Sequence, residues 1–209
     1  MNNLKFITAV LQWALKVPAL LLLDLVTILL SPIIALFTYK AEESEVTGFP
    51  SLHPGLKRDF LLPIFKGFGT PDAPADEMYY GDYELQSTVV KYLRQYDYDT
   101  NWLVRYAYRI LWLCRNPAYG FGHSLGYDSN GMTYLVARDN NELWGTKTSH
   151  SSFWKVTNPK GQIGWWYKMK WFYTADRAVV INIGYKLDAA SIDGKKFVAM
   201  FFHPCRKFE

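Results

Sequence analysis

The feature that most constrains this chain is an apolar stretch near its N-terminus. Between Val17 and Tyr39 the one charged residue is Asp24, and a helix of this length can cross the hydrocarbon core of a bilayer. The region is too long for a cleavable signal peptide, and it lacks a small-x-small cleavage site. We therefore expect residues 1–40 to form a hydrophobic helical anchor that stays attached. The alternative is a buried helix of a soluble core, which is also apolar on all sides.

The shape of this anchor depends on its prolines and its carboxylate. Pro18 and Pro32 each remove a backbone donor and bend a helix. Asp24 costs a few kcal/mol at the bilayer centre unless it is paired or protonated. A kinked spanning helix and a partly re-entrant helix fit these features equally well.

The residues before the apolar stretch follow a helical pattern of their own. Between Leu4 and Lys16 apolar side chains recur at helical spacing, and this pattern suits a helix lying in the membrane interface. These side chains are Phe6, Val10, Trp13 and Val17. We count Trp13, Asp24 and Pro32 as anchor residues. Basic residues flank both ends of the anchor, so the positive-inside rule does not assign its orientation.

A polar segment separates the anchor from the rest of the chain. Residues 41–56 include three Glu and two Pro, a composition typical of a linker. The remaining length suits one folded domain over residues 57–209.

Two helices are predicted at the start of this domain, over Glu84–Tyr98 and Asp99–Arg115. The second begins at Asp99 or Thr100 as N-cap and ends at Asn116-Pro117. Apolar side chains surround almost the whole of this helix, and Arg105 and Arg109 interrupt them. It is therefore a core helix or a second helix in contact with the membrane. These arginines are also the candidate ion-pair partners of Asp24.

From Met132 onward the pattern is that of strands separated by turns. Six segments rich in β-branched and aromatic residues have short connections between them, which favours an antiparallel meander. They are 132–138, 142–148, 152–157, 164–174, 178–187 and 196–203. The fold class is therefore α+β: a hydrophobic helical anchor, two amphipathic helices and then an antiparallel meander. Nothing alternates as βαβ units, which argues against a nucleotide-binding Rossmann layer.

Composition excludes several functional classes. The net charge of +4 comes without a basic run, so no nucleic-acid partner is favoured. The histidines lack metal-ligand spacing, and the acidic residues between Asp72 and Glu84 lack the pattern of an EF-hand loop. We expect no cofactor and no metal. Cys114 and Cys205 are too few for a disulfide framework, although one disulfide between them stays open. They slightly favour a reducing compartment.

The sharpest catalytic match is Gly122-His123-Ser124-Leu125-Gly126, which fits the G-x-S-x-G nucleophile elbow. In a hydrolase, Ser124 would act with a later acid and histidine, such as Asp176 and His203. The motif needs a buried strand before the serine and a helix after it, whereas turn residues lie on both sides here. We therefore expect a protein without catalytic activity, with a membrane-bound serine hydrolase as the alternative.

The aromatic strand 164–174 has two candidate binding faces, because alternate side chains point to opposite sides. One face carries Trp166, Lys168 and Lys170. Such a face suits stacking on single-stranded nucleic acid or contact with anionic lipid. The apolar N-terminal stretch favours lipid.

Three short motifs, Thr70–Asp76 (TPDAPAD), Arg115–Phe121 (RNPAYGF) and Asn182–Leu187 (NIGYKL), resemble those of an uncharacterised family of tailed-bacteriophage proteins. The resemblance covers most of the chain, including the hydrophobic N-terminus. It implies a phage origin and a location in the host cell, but no mechanism. We accordingly expect an accessory protein at the host inner membrane that contacts lipid or a host membrane protein, with its folded domain in the cytoplasm.

Overall fold

The computed structural model describes residues 2–48, 54–70, 73–80, 88–138, 146–187 and 194–207. It has the α+β class predicted from the sequence, with a long N-terminal helix, shorter helices and antiparallel sheets. Two compact units form the chain: residues 20–121 make one, and residues 1–19 with 122–209 make the other. These bounds differ from the predicted anchor, linker and single domain.

The first helix, α1, runs over Asn2–Ile34 without a break at Pro18 or Pro32. Its leucine-rich sequence favours a helix. Its hydroxyl side chains do not compete with this, because Thr8, Thr27 and Ser31 bond back to carbonyls of the preceding turn. The predicted helix is therefore present.

In the unit of residues 20–121, a hairpin follows α1. Strand β1 (Thr38–Glu42) pairs antiparallel with β2 (Lys57–Leu61), and helix α2 (Glu43–Thr47) begins directly after β1. Gly48 ends α2 in the left-handed conformation, with a φ of 75° that suits glycine. The segment predicted as a linker is thus largely the connection of a hairpin, and residues 49–53 of it lie outside the described residues.

The same unit continues with short helices around one longer helix. A 3-10 helix covers Pro63–Phe68, and α3 (Glu77–Tyr80) and α4 (Thr88–Leu93) precede α5 (Trp102–Arg115). The predicted helix over 84–98 matches α4 only in part, and its residues 84–87 lie outside the described part of the chain. The side chain of Asn101 caps α5 by accepting from Leu103 N–H and Val104 N–H. The predicted caps Asp99 and Thr100 are therefore wrong, whereas the predicted end at Asn116 is confirmed.

Helix α5 organises the core of this unit. One cluster of buried side chains joins it to α3 and α4: Met78, Val90, Tyr98, Val104, Tyr108 and Trp112. A second cluster joins Leu113 of α5 to Ile34 and Ala35 at the end of α1. The hydroxyl of Tyr106 also donates to the carbonyl of Pro32 at 2.6 Å. The end of α1 is thus docked on α5.

The unit that contains residues 122–209 is built on a five-stranded antiparallel sheet in the order β4-β5-β6-β7-β9. Helix α6 (Tyr119–Ser124) precedes these strands in sequence. The sheet strands are β4 (Thr133–Arg138), β5 (His150–Thr157), β6 (Ile163–Phe172), β7 (Arg177–Tyr185) and β9 (Val198–Lys207). Strand β3 (Tyr127–Asp128) pairs separately with β8 (Lys195–Lys196). The predicted meander is confirmed, with Pro204 on the edge strand β9, where a missing donor is tolerated.

One predicted strand does not form as expected. Of the segment 142–148, residues 142–145 lie outside the described residues and residues 146–148 form a bend. The bend lies beside β6, since the ammonium of Lys170 donates to the carbonyl of Thr146.

Candidate membrane-binding surface

One face of α1 carries large apolar side chains that no other part of the described chain covers. Leu15 is 79% exposed and Leu29 is 68% exposed. Side chains at spacings of three, four or seven lie on one side of a helix, and eight exposed residues follow this rule. They are Leu4, Ile7, Leu11, Leu15, Leu22, Leu25, Leu29 and Ile33, and we call them the apolar stripe.

The exposure of α1 bears on the buried-helix alternative. Among the described residues, α1 over Asn3–Ile34 is the one helix long and apolar enough to cross a membrane, by length and composition. Only 22% of its most apolar 18-residue window is buried. A central core helix would be covered on most sides, so this interpretation does not fit α1.

The first half of α1 packs on the five-stranded sheet through the side opposite its stripe. Trp13 and Phe6 both contact the ring of Trp165, with centroid distances of 5.2 and 6.3 Å. The ammonium of Lys16 donates to the hydroxyl of Tyr185 at 3.2 Å. Trp13, predicted to meet the membrane interface, therefore contacts the sheet.

Asp24 and the arginines of α5 do not form the predicted ion pair. Arg109 instead binds Asp59 of β2, with 2.6 Å between Nη2 and Oδ2. The Nε of Arg105 is buried and has no hydrogen-bond partner among the described residues. Asp24 itself is half-buried and has no ion-pair partner in the described chain. The docking of α1 on α5 rests on apolar contacts near Ile34 and on the Tyr106 bond to Pro32.

This arrangement predicts the effect of replacing Asp24 with Leu. Because Arg109 is already paired with Asp59, Asp24→Leu should leave the unfolding temperature unchanged or higher. Membrane association should change little, because Asp24 lies on the side of α1 opposite the apolar stripe. Thermal unfolding in detergent and partition between membrane and soluble fractions measure the two effects. A lower unfolding temperature, reproduced by Asp24→Asn, would show that the carboxylate has a structural partner after all.

The second predicted lipid contact lies on a covered face of the sheet. Trp166 is 1% exposed and stacks on Trp154 with ring centroids 4.9 Å apart. Lys168 lies over the ring of Trp166 at 4.1 Å, and Lys170 is 0% exposed. Burial lowers the pKa of Lys170, with a smaller contribution from Arg206. Trp166 and Lys170 are therefore buried rather than lipid-facing.

The opposite face of the sheet is uncovered at one end. At the end remote from Trp165 it carries Trp171, which is 55% exposed, together with the exposed side chains Met200 and Phe202. Met200 and Phe202 lie opposite Ile183 and Ile181 of β7. The face that α1 covers at one end is thus apolar and uncovered at the other.

A buried ionic network that the sequence did not indicate lies in the unit of residues 20–121. Arg58 is 1% exposed and binds Asp76 and Glu77, each at 2.9 Å. The hydroxyl of Tyr98 donates to the carboxylate of Asp76 at 3.1 Å and to that of Asp59 at 3.2 Å. Burial raises the pKa of Asp76 and of Glu77, and the Arg58 guanidinium opposes the rise. Each carboxylate has cationic or hydroxyl partners, as a structural network requires.

A cavity of about 300 Å³ lies near this network, between the hairpin and α5. It is lined by Tyr39, Phe60, Lys66, Thr70 and Trp112, among others.

The structure does not assemble the catalytic residues of the hydrolase alternative. Ser124 ends helix α6, and its carbonyl accepts from the ammonium of Lys195 at 3.1 Å. His203 lies on β9 opposite Val180, and Asp176 lies in the turn between β6 and β7. A helix precedes Ser124 and strand β3 follows it, which is the reverse of a nucleophile elbow.

The two cysteines are free thiols. Cys114 lies on α5, where its sulfur is 3.4 Å from the hydroxyl of Ser31. Cys205 lies on β9, and Arg177 donates to it at 3.1 Å. Hydrogen bonds from Tyr173 and Arg177 lower the pKa of the Cys205 thiol.

These features define an α+β protein with one long, largely exposed apolar helix at its N-terminus. The chain belongs to a family of unknown function, DUF7338, which matches residues 4–208. Neither the curated proteins nor the solved structures include a significant match to the chain.

Proposed function

We propose that this protein is a membrane-associated protein without catalytic activity, attached to a bilayer through the apolar stripe of α1. The observation that supports this is the continuous exposure of the stripe from Leu4 to Ile33. Burying one leucine side chain stabilises by about 1.5–3 kcal/mol. A stripe of this length therefore favours a bilayer strongly over water, and soluble monomers rarely expose so large an apolar patch.

The finer proposal is an accessory role for a tailed bacteriophage at the host inner membrane. Support comes from the three motifs that resemble phage proteins and from the free thiols of Cys114 and Cys205, which suit a reducing cytoplasm. The partners are then the lipid bilayer and a host membrane protein, and the folded residues lie on the cytoplasmic side.

The anchoring role predicts a large effect of changing three stripe residues together. Replacing Leu15, Leu22 and Leu29 with Gln should lower membrane partition by about three orders of magnitude, because three apolar side chains no longer enter lipid. Glutamine keeps a high helix propensity, and the three leucines are exposed, so the fold should persist. The measurement is the distribution of the full-length chain between carbonate-washed membranes and the soluble fraction.

The control for this experiment is a set of conservative changes at the same positions. Leu15, Leu22 and Leu29 replaced with Met should keep the chain in the membrane fraction, since methionine is also apolar and helix-forming. Circular dichroism checks that both variants are folded. A folded glutamine variant that stays in the washed membranes would refute anchoring by the stripe.

A further inference from the structure

We infer that α1 lies flat within one leaflet of the bilayer, with its apolar stripe toward the acyl chains, and does not cross the membrane. This inference rests on the proposed membrane attachment and specifies its geometry. It follows from the division of faces on α1, from the contacts at its two ends, and from the path of the chain that follows.

The faces of α1 are divided in the way that an interfacial helix requires. At about 100° per residue, the stripe occupies one side of the helix over its whole length. The opposite side holds all three charged residues of α1, Lys5, Lys16 and Asp24. It also holds its buried residues: Ala9, Leu20, Thr27, Ser31 and Ile34. Leu21, Ile28 and Leu30, which are also exposed, flank the stripe. A helix that crosses lipid alone exposes every side to acyl chains, whereas the charged and buried residues of α1 lie opposite its stripe.

Both ends of α1 are held by folded parts of the chain. Phe6 and Trp13 pack on Trp165 of the sheet, and Lys16 binds Tyr185. At the other end, Ile34 packs against Leu113 of α5. A crossing by α1 would therefore place the sheet strands and α5 on opposite sides of the bilayer.

The chain between α5 and the sheet offers no route back across a membrane. Among the described residues, no second helix is long and apolar enough to span. Residues 116–132, which connect α5 to the sheet, are all described and hold the six-residue helix α6 and the two-residue strand β3, both far shorter than a span needs. A single crossing is thus incompatible with the contacts at both ends, and a flat helix satisfies them.

The open end of the sheet extends the same lipid-facing surface. Trp171, Met200 and Phe202 lie on the face on which α1 packs, so they point to the side of the sheet that α1 occupies. Arg177 and Lys207 lie opposite each other at the ends of the neighbouring strands and are exposed. Aromatic side chains flanked by basic ones are typical of an interface with anionic headgroups.

Two adjacent positions of α1 test the inference with the same charge change. Leu11 lies on the stripe and Gln12 lies about 100° away, and both are exposed. The full-length chain is synthesised without cells in the presence of phosphatidylethanolamine and phosphatidylglycerol vesicles and then floated. Leu11→Glu should reduce the floated fraction at least about tenfold, whereas Gln12→Glu should float like the parent chain. Equal loss in both variants would overturn a one-sided contact.

A labelling experiment decides the topology directly. Single cysteines replace Lys5 and Ser44, one near each end of α1, in a chain whose Cys114 and Cys205 are changed to Ser. A membrane-impermeant maleimide is applied to intact spheroplasts and to inverted membrane vesicles. Both positions should react from the same side. Reaction from opposite sides would refute the flat geometry while leaving membrane attachment intact, whereas recovery of every variant in the soluble fraction would refute the proposed function itself.

Discussion

Replacing Arg58 with Met is expected to lower the free energy of unfolding by about 3–5 kcal/mol, because it leaves buried carboxylates without their cation. Arg58 is 1% exposed and binds Asp76 and Glu77 at 2.9 Å. For a chain of this size, such a loss lowers the unfolding temperature by about 10 °C or more. Intrinsic tryptophan fluorescence during heating in detergent measures it.

The loss of unfolding free energy in Arg58→Met should be larger at high pH than at low pH. Burial already raises the pKa of Asp76 above its ordinary value, and Arg58 opposes this rise. Without Arg58 the pKa rises further, so the folded state holds a proton that the unfolded state releases. The destabilisation is then complete above the raised pKa and is relieved as the pH falls through it. The variant should therefore recover part of its lost stability as the pH falls through the raised pKa of Asp76.

Two further variants control for the loss of packing. Arg58→Met combined with Asp76→Asn should be more stable than Arg58→Met at pH 7 and less sensitive to pH, since one uncompensated charge is gone. Lys160→Met removes a cation from a surface ion pair with Asp128. It should change the free energy of unfolding little, because Lys160 is 71% exposed. A loss in Arg58→Met that is equal at all pH values would mean that packing, not charge, accounts for it.

The second large effect concerns the glycine that completes the apparent nucleophile elbow. Gly126→Ala is expected to destabilise the fold by about 3 kcal/mol, at the upper end for overpacking. A methyl group at this position would collide with the backbone carbonyl of Lys196 in β8 and lie 2.8 Å from the carbonyl of His123. Backbone cannot move aside as a flexible side chain can, so the pairing of β3 with β8 should be lost.

Ser124→Ala is the matched variant, and it should leave stability within about 0.5 kcal/mol because Ser124 is exposed. A fluorophosphonate probe should not label the parent chain. Labelling that Ser124→Ala abolishes would instead establish the hydrolase alternative. Gly126 therefore has a structural explanation that needs no catalytic serine.

The motifs behind the phage resemblance also have structural roles where they are described. Asp76 accepts from Arg58 and from the backbone N–H of Asp59. A methyl group on Gly120 would lie 2.6 Å from the carbonyl of Lys66, and one on Gly184 would meet the backbone of Trp165. Gly184 also has a φ of 111°, which only glycine adopts readily. These positions explain packing, and none of them indicates an activity.

Local patterns in the sequence were sufficient for helix α1, the end of α5 and the strands of the five-stranded sheet, but not for the β1–β2 hairpin. The leucine-rich stretch determined helix α1, because apolar helix formers in series favour one conformation regardless of partners. Alternation and turn residues determined the meander, since the period of a strand and its short connections are local properties. The end of α5 at Asn116 followed from Pro117 for the same reason.

Which faces are covered was decided only by the tertiary structure. Both faces of β6 are rich in aromatic residues, so alternation separates Trp166 from Trp171 but does not say which of them is buried. The partners of Arg58 and Arg109 come from segments distant in sequence. Because the sequence offers several carboxylates, it does not show which of them pairs with each arginine. Arg109 was a predicted partner of Asp24, yet the β1–β2 hairpin brings Asp59 to it. Packing sets these pairs, because burial and proximity depend on how elements meet and not on the period of any one of them.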